Sequence, residues 1–159
     1  LKHFPGHGDT FEDSHNSLAE VTRSLSELLE GELLPFCSGI DAGTDMVMVG
    51  HLYVPALDSE FPAPISSRII SELLRSELGY DGIVITDSLL MGAAEEYSSE
   101  EIAVKCISAG VDILLMPEDL NASAQALSDA VVSGELTLER IDESVLRILR
   151  LKDRLGLLG

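Results

Sequence analysis

The chain has 159 residues, with Lys plus Arg at 10 and Asp plus Glu at 28, a formal net charge of −18. Apolar residues make up 45%, enough for the core of one ordinary domain and too many for a disordered chain. The negative surface disfavours nucleic acid phosphates and anionic lipid as partners, and no apolar run approaches the roughly 18 residues that span a bilayer. The two cysteines, Cys37 and Cys106, have no CxxC spacing, which argues against a disulfide scaffold or a cysteine zinc site and for buried free thiols.

Leu1 leads directly into a segment that reads as the end of a strand, so the chain is expected to be the C-terminal part of a longer one. That leaves the compartment open, cytoplasmic or secreted. A helical stripe of Leu18, Val21, Leu25, Leu28 and Leu29 predicts a helix from about 17 to 30. Met46-Val47-Met48-Val49 reads as a strand buried on both faces, as do Ile83-Val84-Ile85-Thr86 and the run from Val111 to Met116. Between them, Ser66 or Ser67 would cap a helix with Ile69, Ile70, Leu73, Leu74 and Leu78 as its stripe and Gly79 as its stop. Ser98 with Glu101 forms a capping-box pattern for a helix ending near Gly110. A helix rich in Ala and Ser follows Asp119 and stops near Gly134. Thr137 starts the last one, with Ile141, Val145, Ile148 and Leu149 expected to face inward.

This alternation predicts an α/β fold with a parallel sheet. If the sheet closes into a (β/α)8 barrel of the TIM type, the helices lie outside. The loops at Pro5 to Gly8, Gly50-His51, Asp87-Ser88 and Pro117-Glu118 then share one face. The units present account for about half of such a barrel, so the chain is expected to be one partial domain, residues 1–159, with the upstream half missing.

Three of the four histidines fall in the first fifteen residues, which read Lys2-His3-Phe4-Pro5-Gly6-His7-Gly8-Asp9-Thr10 and then Asp13-Ser14-His15. A loop this dense in imidazoles and carboxylates, directly after a strand, is the usual setting of a site. Asp87, directly after a buried strand, would hold its carboxylate at the same face. Other readings of these residues are open. His3, His7, Asp9, Asp13 and His15 could ligate Zn or Mn in a metal-dependent hydrolase, although their spacing fits neither HExxH nor HxHxDH. Asp87 could be a phosphate acceptor of the receiver kind, but no acidic pair is suitably placed after an early strand.

The segments KHFPGHGDT and DSH, followed in order by DMVMVGHLYVPALD, LLRSELGYDGIVITDSLLMGA and AGVDILLMP, closely resemble family 3 glycoside hydrolases, in particular their β-N-acetylhexosaminidase branch. The resemblance spans about residues 1–119. It implies the C-terminal half of a (β/α)8 barrel and a retaining enzyme that releases terminal β-linked N-acetylglucosamine. Peptidoglycan fragments are the implied substrate. It assigns Asp87 as nucleophile, His15 as acid/base and Asp13 as the partner that orients His15. Lys2 and His3 match residues that bind sugar hydroxyls. His51 would contact sugar or support the residues that do, and Met91 would line the pocket or the core. His7, between two glycines, is as readily structural. No metal or organic cofactor is implied. A neutral histidine base would also repel a phosphate acceptor less than a carboxylate would, so phosphorolysis stands beside hydrolysis. Family 3 β-glucosidases and β-xylosidases are the alternative within the family.

Overall fold

The computed structural model describes residues 1–7, 19–90 and 97–159. Its strands are β1 (Ala19–Glu20), β2 (Met46–Val49), β3 (Leu52–Tyr53) and β4 (Ile83–Thr86). Its helices are α1 (Leu25–Glu30), α2 (Leu34–Asp41), a π-wound helix (Arg68–Glu77), α3 (Ser99–Ala109), α4 (Leu120–Ser133) and α5 (Leu138–Arg154), with a short 3-10 turn at Ala63–Ile65. No helix among the described residues is long and apolar enough to cross a membrane.

The strands are parallel. β2 pairs with β4 in the register Met46 to Ile83 through Val49 to Thr86. Phe4 bridges Val49 on one side of this pair and Ile113 bridges Ile85 on the other, both in parallel sense. Chain order and spatial order therefore coincide across Phe4, β2, β4 and Ile113, each step one place further along the sheet. Sequential parallel strands with intervening helices form an arc of a TIM-type α/β barrel. The buried Val47, Val49, Ile83 and Val84 of the strands and Ile69, Ile70, Leu73 and Leu74 of the π-wound helix contribute to the core. Phe4 meets Phe36 of α2 edge to face at 5.1 Å.

Several expected boundaries hold. Ser98 and Glu101 close their reciprocal capping box, and α3 ends on Gly110 at φ 118°. A Cβ at Gly110 would lie 2.7 Å from Ser71 Oγ, so both backbone angle and space require glycine there. Asp119 accepts the N–H groups of Asn121 and Ala122 at the start of α4, and Thr137 accepts that of Arg140 at the start of α5. The Ser66 hydroxyl accepts the Ile69 N–H at 3.1 Å.

Others differ. In place of a helix from about 17 to 30, Ala19–Glu20 form β1, paired in parallel with Leu52–Tyr53 of β3. Ala19 and Val21 are buried on either side of exposed Glu20, a period of two that the leucine spacing masks. The helix begins only at Leu25, where Ser24 and Glu27 cap it, and Leu25 and Leu29 are exposed. Leu18 lies outside the described residues. Helix α2 is an addition, with a proline in its first turn. The run from Val111 to Met116 is not a regular strand. Backbone bonds to β4 persist from the Asp112 N–H to Val84 and from the Thr86 N–H to Ile113, but the Asp112 carboxylate takes the Val84 N–H and the Thr86 hydroxyl takes the Leu115 N–H, so side chains interrupt the ladder at two positions. Val145 and Leu149 of α5 do not face inward but are 45% and 43% exposed. The helix is held instead through Arg140, Ser144 and Arg147, all bonded to Asp112 or beside it. Both cysteines are free; Cys106 is buried, which raises its thiol to about 12, whereas Cys37 is only half-buried.

Candidate active site

Asp87 follows the last residue of β4, and its backbone is fixed by neighbours on both sides. Its N–H donates to the Val49 carbonyl at 2.9 Å, while the preceding Thr86 N–H donates to the Ile113 carbonyl at 3.1 Å. A rigid strand end thus aims the carboxylate. Its Oδ1 accepts the Ser88 N–H at 2.8 Å. Its Oδ2 lies 3.4 Å from Nε2 of His3, with 19% of the Asp87 side chain exposed. This leaves one oxygen tethered and the other turned toward an imidazole.

His3 arrives from the neighbouring segment, whose Phe4 N–H donates to the Met48 carbonyl at 2.8 Å. A Cβ at Gly50 would lie 3.0 Å from the His3 Cβ, so the bare backbone at the end of β2 leaves room for the ring. Its ring stands 6.0 Å from that of His7, centroid to centroid, at 66°. Lys2, His3, Gly6, His7, Glu32 and Phe36 line a cleft of about 440 Å³.

His51 enters from the other side of Gly50. It is buried, and its Nε2 donates to the Ser88 carbonyl at 2.9 Å. A carbonyl only accepts, so this nitrogen carries the proton. Burial pushes the imidazole below its ordinary value of 6.5, against the weaker upward pull of the Ser88 carbonyl and the Asp87 charge. His51 is therefore neutral near pH 7. Of its two roles open from sequence, burial favours support of the Asp87-Ser88 turn over contact with a sugar.

The structure thus brings together His3, His51 and Asp87 from three consecutive strand ends, with Lys2 and His7 on the adjoining loop. Asp9, Asp13, His15 and Met91 lie outside the described residues. Among the described residues, no group of three or more His, Cys, Asp or Glu is placed to hold a metal ion. Ser88 escapes sequence reasoning although it holds both Asp87 and His51; its only signal is the Asp-Ser pair at a strand end. Glu32 gives no sequence signal at all. A second cleft, of about 390 Å³, opens at the opposite ends of β2 and β4, between Asp45, Asp81, Arg147 and Arg154. Lys2, His3, His7, His51 and Asp87 do not line it.

The family model described as "Glycosyl hydrolase family 3 N terminal domain" matches residues 1–151. "Beta-hexosaminidase A" from Pseudoalteromonas piscicida is 37% identical, over 98% of this chain and 30% of its own length. Among solved structures, a glycoside hydrolase family 3 β-N-acetylglucosaminidase from Paenibacillus sp. str. FPU-7 superposes with a TM-score of 0.95. It is 46% identical, over 99% of this chain and 31% of that one. A structure described as a β-glucoside phosphorylase superposes at 0.92 with 28% identity, over 98% of this chain and 30% of that one. The chain thus spans about a third of the length of these relatives.

Proposed function

The chain belongs to glycosyl hydrolase family 3, and from that membership we propose that it carries the nucleophile half of a retaining β-N-acetylglucosaminidase site. In this reading the chain is the C-terminal part of a catalytic barrel, and the substrate is a terminal β-linked N-acetylglucosamine on a peptidoglycan fragment. The observation that carries it is the Asp87 carboxylate, tethered through Oδ1 to Ser88 and turned through Oδ2 toward His3 at the end of β4.

The reaction has two steps. Asp87 Oδ2 bonds to the anomeric carbon as the bond to the leaving oxygen breaks, and His15 gives that oxygen its proton. Neutral His15 then takes a proton from water, whose oxygen bonds to the same carbon. The bond to Asp87 breaks and the carboxylate is restored, so two inversions give net retention. Asp13 orients the His15 ring and stabilises its charged form. Lys2 and His3 donate to sugar hydroxyls, and His51 holds the Ser88 carbonyl behind the nucleophile. The names of the relatives, a β-hexosaminidase and a β-N-acetylglucosaminidase, support the choice of sugar.

The test is proton NMR of the first product released by the whole protein from an aryl N-acetyl-β-glucosaminide. The β-anomer as first product supports a glycosyl-Asp87 intermediate, and the α-anomer contradicts it. A phosphate acceptor is a second reading, favoured by the structural likeness to a protein described as a β-glucoside phosphorylase. It requires sugar 1-phosphate to form when phosphate is supplied, and equal rates of free sugar release with and without phosphate would remove it.

A further inference from the structure

His7 meets the imidazole that faces the candidate nucleophile. Nε2 of His3 is 3.4 Å from Asp87 Oδ2, and 28% of the His3 side chain is exposed. Normal N–H to O hydrogen bonds measure roughly 2.7–3.2 Å, so this contact is long, and water competes for an exposed ring. Asp87 alone therefore does not fix the plane of the His3 imidazole. The ring of His7 stands edge to face with it, 6.0 Å between centroids at 66°. Both rings line the same cleft.

The backbone puts His7 there. The Gly6 N–H donates to the His3 carbonyl at 2.9 Å, which closes a turn from His3 to Gly6 and returns the next residue to His3. The base of the turn is pinned, because Phe4 is fully buried and its carbonyl accepts the Gly50 N–H at 3.0 Å. Its tip rests on Glu32, since a Cβ at Gly6 would collide with the Glu32 Cβ and lie 2.9 Å from its Cγ. Glu32 is held in turn, with Oε1 3.0 Å from Nε of Arg23 and only 13% of its side chain exposed. The stem of His3 packs on the end of β2, where Gly50 leaves just enough room for it. The freedom that remains to the ring is rotation about χ2, a broad torsion for an imidazole. A neighbouring ring edge limits that rotation.

We propose that His7 is a positioning residue, whose ring holds the His3 imidazole in the plane that turns Nε2 toward Asp87 Oδ2. This rests on the reading of Asp87 as nucleophile and of His3 as a sugar-binding residue. His7 acts through His3 and not on the sugar. Without the His7 ring, the His3 imidazole turns away from the carboxylate, and misplacement by an ångström lowers rate by up to about a hundredfold. A phenyl ring at position 7 supplies the same edge, whereas a flexible amide does not.

The test is a double-mutant cycle in the whole protein, with His3→Ala, His7→Ala and the two together. His7→Phe and His7→Gln are made beside them, and kcat/KM is measured on an aryl N-acetyl-β-glucosaminide. His7→Ala and His7→Gln are expected to lose about tenfold, and His7→Phe to stay within about threefold of wild type. Once His3 is alanine, removing His7 as well should cost less than about twofold more. Additive losses would show that His7 acts independently of His3, and would overturn its role while leaving the proposed function in place. An equal loss in His7→Phe and His7→Ala, or no loss in either, would overturn it too. A wild-type protein that turns over no such glycoside would overturn the proposed function and the role of His7 with it. Should His7→Ala fail to fold, His7→Gln takes its place in the cycle.

Discussion

Nε2 of His51 donates a 2.9 Å hydrogen bond to the carbonyl of Ser88, 37 residues further along the chain. Ser88 in turn gives its N–H to Asp87 Oδ1, so a buried neutral imidazole holds the turn that holds the carboxylate. His51→Ala should therefore lower kcat by up to about a hundredfold with KM nearly unchanged, since it removes a positioning contact. Steady-state kinetics on an aryl glycoside check this. A rise in KM at constant kcat would instead place His51 in direct contact with the sugar.

His51 and Asp58 both make the fold sensitive to acid. Burial lowers the His51 imidazole below 6.5, so the unfolded chain binds a proton that the folded chain refuses. That contribution is complete above about pH 6.5 and is lost as pH falls below it. Burial pushes the Asp58 carboxyl up, but bonds from the Ser66 hydroxyl and the Glu60 and Phe61 N–H groups outweigh it, leaving Asp58 below 3.8. Its contribution is complete above about pH 3.8 and fades below. Thermal melts from pH 8 to 3 should show Tm falling in both windows. His51→Gln should flatten the upper one, and an unchanged upper window in that variant would contradict the assignment to His51.

Gly6→Ala should harm both fold and rate. The residue sits at φ 133°, and a Cβ would meet Glu32, so strain and collision act together. Expected are a destabilisation of about 1–3 kcal/mol in urea unfolding and a loss of activity. The second substitution Glu32→Gly in the same chain, which removes the Cβ that the new methyl would meet, should relieve part of the destabilisation. Additive effects of the two changes would show that the collision is absent.

Asp112 is the hub at the opposite end of the strands. Its side chain is fully buried and bonded to Arg75 and Arg147 at 2.7 and 3.1 Å, with Arg140 at 3.7 Å. It also accepts the Ser144 hydroxyl and the Val84 N–H. Asp112→Ala leaves three guanidinium groups without their common counter-charge and should cost about 3–5 kcal/mol, measured by chemical unfolding. A cost below about 1 kcal/mol would reduce the hub to a surface-type pair.

Some of this architecture is legible residue by residue. Ser98, Glu101 and Gly110 mark both ends of α3 because capping and left-handed stops are local chemistry. Asp87 is legible because β4 is an uninterrupted apolar run that ends on it. The stretch around Ala19 is not, since its leucine spacing mimics a helix while pairing with β3 decides for a strand. The run after Val111 is not either, because the choice of Asp112 and Thr86 side chains over ladder bonds depends on contacts 28 and 29 residues away. The approach of His3 to Asp87 spans 84 positions; the alternation of strands and loops puts both at one face, but their contact is set by the pairing of the strands. The Glu32–Arg23 contact has no sequence signature.

The most direct test of Asp87 as nucleophile is to incubate the whole protein with a fluorinated N-acetylglucosaminyl donor that slows breakdown of the intermediate, then map the adduct by peptide mass spectrometry. A sugar mass on the peptide containing Asp87, absent in Asp87→Asn, is the predicted result. Turnover of the unfluorinated glycoside with the label on another residue, or with no label at all, would contradict it.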